Sequence, residues 1–300
     1  MPPTVSIEQF EALLPKICDK KTSSDPDNWL PQNPLWGHCA VVSLVAQNLF
    51  GGKLARASLE NTKFAAMRSH YWNQLPNDAI DFTRDQFGDS YPEMTDRVIR
   101  ERAYVLSSAE TLKRYKLLAW RLAKELNEDN PIFKNSIYCQ CFCNALSSPC
   151  KKMKFGALLV SDSCDRNIRA ALEVIEKSGY NKTIEPLRSL CEPNCIRMNI
   201  PSRTESMIGA CGHAEEFALS EAVKVGVPLN KCDLFVAGIY PNGLPVIKNQ
   251  NEFTCLRCAV QIYNFGVRKV LVPTTKGWHA FTSEECVKTA LAYAAGEKKV

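Results

Sequence analysis

Three hundred residues, 45% apolar and 23% charged, describe a globular chain with room for one large domain or two ordinary ones. No run of about 18 apolar residues occurs, which excludes an apolar membrane-spanning helix. The opening MPPTVSIEQFEALLPK has no basic segment followed by a long apolar core, so a cytoplasmic protein without membrane attachment is expected. The net charge of +5 is uneven: residues 1–130 hold 16 Lys and Arg against 17 Asp and Glu, and residues 131–300 hold 21 against 15. The basic excess thus falls in the second part, where it fits either a polyanionic partner or a solvated basic surface.

Fourteen cysteines are many for such a chain. In a reducing compartment they read as buried apolar residues, metal ligands or nucleophiles rather than disulfides. Taken in chain order, CAVVSLVAQNLFGG predicts a buried helix that opens at Cys39 and closes at Gly51 and Gly52. SHYWNQL and AIDFTRDQF read as two short strands joined by a turn at Pro76 to Asp78. SSAETLKRYKLLAWRLAKEL predicts a helix with a capping box at Ser107 and Glu110 and one face of Leu112, Tyr115, Leu118, Leu122 and Leu126. The polar stretch KELNEDNP then ends in a helix breaker, which sets expected domains at 1–127 and 128–300.

In the second part, YCQCFCNALSSPC carries Cys139, Cys141, Cys143 and Cys150, and Cys191 and Cys195 follow. A metal cluster competes here with buried cysteines on a helix that begins after Pro131, and the buried reading is favoured. FGALLVSDS (155–163), CDLFVAGIY (232–240) and RKVLVPT (268–274) read as strands, with helices expected over 168–178, 213–225 and 256–265. Alternating strands and helices predict an α/β sheet with helices on its faces.

Two short motifs carry the chemistry. ACGHAEEFAL places His213 and Glu215 on the first turn of a helix, and TCLRCAV places Cys255 and Cys258 on the first turn of another. A helix N-terminus favours thiolate over thiol. One nitrogen and two sulfurs make three protein ligands for Zn2+, and catalytic zinc sites leave the fourth tetrahedral position for water. Glu215 is then placed to take a proton. Glu216 projects about 100° away around the helix and is expected to tolerate substitution better. A zinc knuckle that only braces the fold is the structural alternative, and it would need a fourth protein ligand.

H-x-E followed by C-x-x-C resembles the zinc-dependent deaminases of the cytidine deaminase superfamily, nucleic-acid deaminases included. The resemblance covers roughly residues 131 to 300, with Thr254 standing where the family usually has Pro. It implies an α/β/α sandwich with a mixed sheet, a zinc ion, and hydrolytic deamination of cytosine or adenine with Glu215 carrying the protons. It also implies a sugar contact, for which Asn199 is the nearest candidate, and a pocket-mouth loop in VPTTKGWHAF that offers Trp278 and His279 to the substrate. Trp278 and Phe281 could instead cap the core. The implied partner is single-stranded nucleic acid, or else a free base, nucleoside or nucleotide.

WGHCAVVSLVAQNLFGGKL, HYWNQL and IDFTRDQF resemble YunG-like domains over roughly residues 30 to 125. That resemblance implies a smaller α+β, papain-like domain, with Cys39 at a helix start, His70 on a strand and Asp81 on the next. His70 would deprotonate Cys39 while Asp81 orients the ring, and Gln32 lies upstream where papain-like enzymes keep an oxyanion-stabilising Gln. Either a thiol hydrolase or a regulatory, substrate-presenting module follows from this set.

Overall fold

The helix α2 (Cys39–Phe50) buries Val41, Val42, Leu44, Val45 and Ala46 in an unbroken run and so needs neighbours on several sides. In the computed structural model, which describes residues 3–161, 175–191, 194–200, 209–247 and 254–296, it finds them. The chain divides into two units, Met1–Leu126 and Asn127–Val300. In the first, α2 packs on α4 (Ala109–Glu125) and on a four-stranded antiparallel sheet of order β3-β2-β1-β4. Its strands are β1 (Lys53–Ser58), β2 (Ser69–Gln74), β3 (Ala79–Ile80) and β4 (Thr95–Arg100). Helix α1 (Ile7–Ile17) also packs on α4 and buries Phe10, Leu14 and Ile17.

Two local expectations change here. AIDFTRDQF is strand only at Ala79–Ile80, because the Asp81 carboxylate accepts hydrogen bonds from the Thr83 N–H (3.0 Å) and hydroxyl (3.1 Å). Such a side-chain turn ends the strand, and a 3₁₀ turn over Arg84–Phe87 follows. The cap of α4 is Ser108, which accepts from the Thr111 N–H, while Ser107 ends the short helix α3 (Arg102–Leu106).

The second unit is a three-layer α/β/α sandwich. Its central sheet has the order β12-β11-β9-β5-β6, formed by β5 (Lys154–Ser161), β6 (Ile175–Tyr180), β9 (Cys232–Ile239), β11 (Lys269–Thr274) and β12 (Gly277–Thr282). Strand β9 runs parallel to β11 and antiparallel to β5 and to the short β10 (Pro245–Val246), so the sheet is mixed. The hairpin β11–β12 and the pair β5–β6 are antiparallel. Helix α5 (Ser136–Ala145) covers one face: a Cβ on Gly156 of β5 would collide with its Cys141 carbonyl. Helices α6 (Ala214–Lys224), α7 (Leu256–Asn264) and α8 (Ser283–Ala294) cover the other, and a Cβ on Gly179 of β6 would strike the Ala214 carbonyl of α6. On that face Ala157, Leu159, Leu234, Val236, Val270 and Val272 pack against Ala218, Leu219, Ala259, Ile262 and Ala290.

The helix expected over 168–178 is corrected in the part that is described. Residues 168–174 lie outside the described residues, as do 162 and 163 of the first expected strand, but 175–180 are strand β6. Pairing to β5 takes up its backbone groups, and Gly179 admits α6. Cys139, Cys141 and Cys143 lie on α5, with Cys141 fully buried, as the core reading requires. Among the described residues no helix is long and apolar enough to cross a membrane.

Candidate active site

Helices α6 and α7 bring their N-terminal ends together. His213 is the N-cap of α6, in extended backbone, after the two-residue strand β8 (Cys211–Gly212). Cys255 is the N-cap of α7 and Cys258 lies one turn in. The Nδ1 of His213 stands 3.3 Å from Cys255 Sγ and 3.2 Å from Cys258 Sγ. All three donor atoms lie within 4.8 Å of one another, and among the described residues the group closes at three. Around a tetrahedral zinc ion, bonds of about 2.3 Å to sulfur and about 2.0 Å to nitrogen separate N from S by about 3.5 Å, so the residues present fit the ion. A closed structural knuckle would show a fourth donor. Among the described residues none joins the group.

The electrostatics suit a cation. Cys258 donates to Cys255, burial opposes, and the nearby His213 adds to the effect, so the Cys255 thiol is held down to about 4. Cys258, the donor of the pair and fully buried, is pushed up. The two thiols share one proton, which a divalent ion would displace. Glu215, on the first turn of α6, is 7% exposed, and burial raises its carboxyl above the ordinary range while the nearby His213 opposes. A buried carboxyl raised in this way is a stronger proton acceptor than an ordinary one, as a general base requires.

Glu216 is not the tolerant neighbour that its position on the helix suggested. Its carboxylate accepts from the His213 backbone N–H (2.7 Å), the Gln261 side chain (3.1 Å) and Arg257. Burial works against this carboxylate, but those hydrogen bonds and the Arg257 charge hold it below the usual range. Arg257 also donates to the Cys211 carbonyl at 3.1 Å, so one carboxylate and one guanidinium tie the mount of His213 to α7. Sequence spacing missed this pair because its partners lie about 40 residues apart. Replacing Glu216 by Ala should lower stability by about 1–3 kcal/mol, the effect of breaking a half-buried charged hydrogen-bond set. It should also release zinc to weaker chelators. Unchanged melting and zinc retention would remove Glu216 from the mount.

Helix α7 connects the parallel strands β9 and β11, so its N-terminal end lies at the edge where those strands finish. The β11–β12 turn, with exposed Lys276, leaves β11 at that same edge. On β12 side chains alternate between faces. His279 is opposite Val272 and its ring lies 4.5 Å from that of Phe281, which packs on the core beneath α6, α7 and α8. Trp278 points to the other face, with its ring 4.9 Å from Phe235 and 5.8 Å from Tyr138 of α5. The Trp278 ring is thus half-buried against Phe235 and Tyr138, as the core-capping alternative describes, while His279 is exposed. Trp278→Ala should cost about 3–5 kcal/mol in a chemical denaturation curve and depress turnover of every substrate alike. A loss confined to polymer substrates, at full stability, would return the ring to the substrate. Asn199 is exposed in a turn over 196–199.

In the first unit, Cys39 is the first residue of α2 and 6% exposed. His70 on β2 is fully buried, and its Nε2 lies 2.6 Å from an Asp81 carboxylate oxygen. Burial opposes protonation of the imidazole, but Asp81 and the nearby Cys39 raise His70 to about 9. The structure thus brings Cys39, His70 and Asp81 together, with Asp81 just past the end of β3 rather than within it. Tyr91 donates to Asp81 at 3.0 Å and Gln86 lies 3.4 Å from His70 Nδ1, two partners the sequence did not single out. Gln32 is exposed. The neighbouring His38 is a structural residue: burial lowers it to about 4, and its ring is held by Thr22 (2.8 Å) and the Trp36 carbonyl (2.9 Å).

One family model matches within each unit. Residues 6–127 match the family described as YunG protein, and residues 135–274 match the cytidine and deoxycytidylate deaminase zinc-binding region. No curated protein matches the chain. The chain is therefore similar to a YunG domain over its first unit and to the zinc-dependent cytidine and deoxycytidylate deaminases over much of its second.

Proposed function

We propose that the second unit removes the exocyclic amine of a nucleobase, cytosine or adenine, from single-stranded nucleic acid. The observation that carries this reading is the His213–Cys255–Cys258 donor set with the buried Glu215 carboxyl on the same first turn. Zinc, when held by those three side chains, is a Lewis acid that lowers the pKa of water from 15.7 to about 7. Glu215 carries the protons: it accepts one from the attacking water and delivers it to the ring nitrogen, then takes the proton of the newly added hydroxyl and passes it to the amine, which leaves as ammonia. Base and water become the keto base and ammonia, with no redox change.

Support for a polymer comes from charge and placement. The basic excess belongs to residues 131–300, and exposed Lys276 lies on the β11–β12 turn with exposed His279 three residues further along. Asn199, exposed ahead of His213, is the residue proposed to meet a sugar hydroxyl. The test presents the protein with single-stranded DNA, single-stranded RNA, nucleosides and free bases, and follows base conversion across a salt series. Turnover of oligonucleotides that falls steeply with salt supports the reading. Salt-insensitive conversion of a free base or nucleoside, without oligonucleotide binding, replaces it with a small-molecule deaminase.

A second reading concerns the first unit and is favoured by the 2.6 Å His70–Asp81 contact. We infer a thiol site in which His70 activates Cys39 for attack on an acyl carbon. Alkylation of Cys39 should be fast and should slow in His70→Ala; slow labelling in both proteins would leave the unit a regulatory or substrate-presenting module. The raised His70 value also has a stability consequence. Its folded value, about 9, exceeds the unfolded value of about 6.5, so its contribution is complete below about pH 6.5 and is lost as pH rises through about 9. Melting of the full chain should drop over that window more in the native sequence than in His70→Gln, and parallel curves would contradict the pairing.

A further inference from the structure

The pairing of β1 with β4 in the first unit is irregular at one place. Arg56 is opposite Val98 and Ser58 is opposite Thr95, so Ala57 alone faces both Asp96 and Arg97. This is a β-bulge, and Asp96 supplies its left-handed residue, with φ 50°. A non-glycine residue in that region is uncommon, and a bulge of this kind re-aims a side chain. Here the side chain is that of Arg97. Its Nε donates to the Met94 carbonyl at 3.3 Å, and its guanidinium carbon lies 5.9 Å from the centre of the Trp72 ring.

A second guanidinium comes from the turn after β3. Arg84 is the first residue of the 3₁₀ turn that the Asp81–Thr83 hydrogen bonds introduce. Its guanidinium carbon lies 4.2 Å from the centre of the Tyr91 ring, and the Tyr91 hydroxyl is fixed at 3.0 Å on Asp81. Both arginines line one pocket of about 410 Å3, together with Trp72, Ile80, Tyr91 and Met94. A guanidinium laid on an aromatic face is held in place while its N–H donors, which lie in its own plane, stay available at its edge. Among the described residues neither arginine pairs with a carboxylate. The two carboxylates of the lining are otherwise engaged. Asp81 accepts from Thr83, Tyr91 and His70, which stays protonated up to about pH 9, and exposed Asp78 accepts from the Ala79 N–H at 2.7 Å. With the charge of Asp81 offset by His70, the lining keeps a positive excess.

We propose that this pocket binds a small organic anion, with a carboxylate or phosphate held by Arg84 and Arg97 and an apolar body resting against Ile80 and Met94. The planar fork of a guanidinium matches either oxyanion with two parallel hydrogen bonds. The volume is that of a small-molecule site rather than of a single ion. A strand, a turn and a bulge deliver Trp72, Arg84 and Arg97, so no continuous motif marks the site. The proposal depends neither on deamination nor on the reactivity of Cys39.

Phenyl phosphate and benzoate are the probes, with benzyl alcohol as the neutral control. In the full native chain at constant ionic strength, phenylglyoxal labelling mapped by mass spectrometry should fall at Arg84 and Arg97 when a matching probe is present. Protection by phenyl phosphate alone assigns a phosphate head, by benzoate alone a carboxylate head, and by both a site that accepts either oxyanion. In calorimetric titrations Arg84→Gln and Arg97→Gln should each weaken the protecting probe at least about tenfold, the usual worth of one charge-assisted hydrogen bond. Both side chains are exposed, so melting of the full chain should be unchanged in either variant. Labelling that neither probe alters overturns the proposal, and so does equal protection by benzyl alcohol. Probe affinity that survives when both arginines are replaced by Gln also overturns it, because the anion then binds elsewhere on the chain.

Discussion

Glu215→Ala is expected to retain its fold and its zinc and to lose deamination by a factor of at least about 10² to 10⁴, the usual worth of a positioned general acid and base. The carboxyl is buried on the first turn of α6, where the proposed reaction needs its proton carrier, whereas among the described residues the donor group closes at His213, Cys255 and Cys258 without it. Metal and proton transfer are therefore separable by mutation. Zinc analysis and single-turnover kinetics check this together. A Glu215→Ala protein that loses zinc would make the carboxylate a ligand, and one that keeps full activity would move the proton carrier elsewhere.

Cys258→Ala should be the most damaging change in the metal group. The side chain is fully buried beneath the first turn of α7, so the substitution removes a ligand and opens a gap at once. An ion present at a thousandfold its dissociation constant stabilises the native state by about 4.1 kcal/mol, and most of that contribution should disappear. The variant should hold one zinc equivalent less than the native sequence, melt lower and be inactive. A Cys258→Ala protein with unchanged zinc content and normal turnover would contradict the assignment of the ligands.

Much of this was legible in the chain, for identifiable reasons. His213, Glu215, Cys255 and Cys258 sit on helix starts, where spacing of two or three residues fixes relative placement without tertiary information. The buried strands β5, β9 and β11 announce themselves as short apolar runs between turn residues. What spacing could not reach is what tertiary contact decides. Glu216 is a surface residue by helical phase and becomes a clamp only because α7 presents Arg257 and Gln261. Trp278 and His279 are neighbours in sequence, yet alternation on β12 sends one ring towards α5 and the other towards the zinc helices. Residues 175–178 read as helix, and a neighbouring strand made them strand.

The most direct measurement is ammonia release matched to base conversion, on single-stranded oligonucleotides, nucleosides and free bases, with the native protein, a zinc-stripped sample and Glu215→Ala. The account predicts one ammonia for each converted base, loss of conversion on stripping, recovery when zinc is returned, and none with Glu215→Ala. No ammonia from any cytosine or adenine substrate with fully loaded native protein, or equal release from Glu215→Ala, would contradict it.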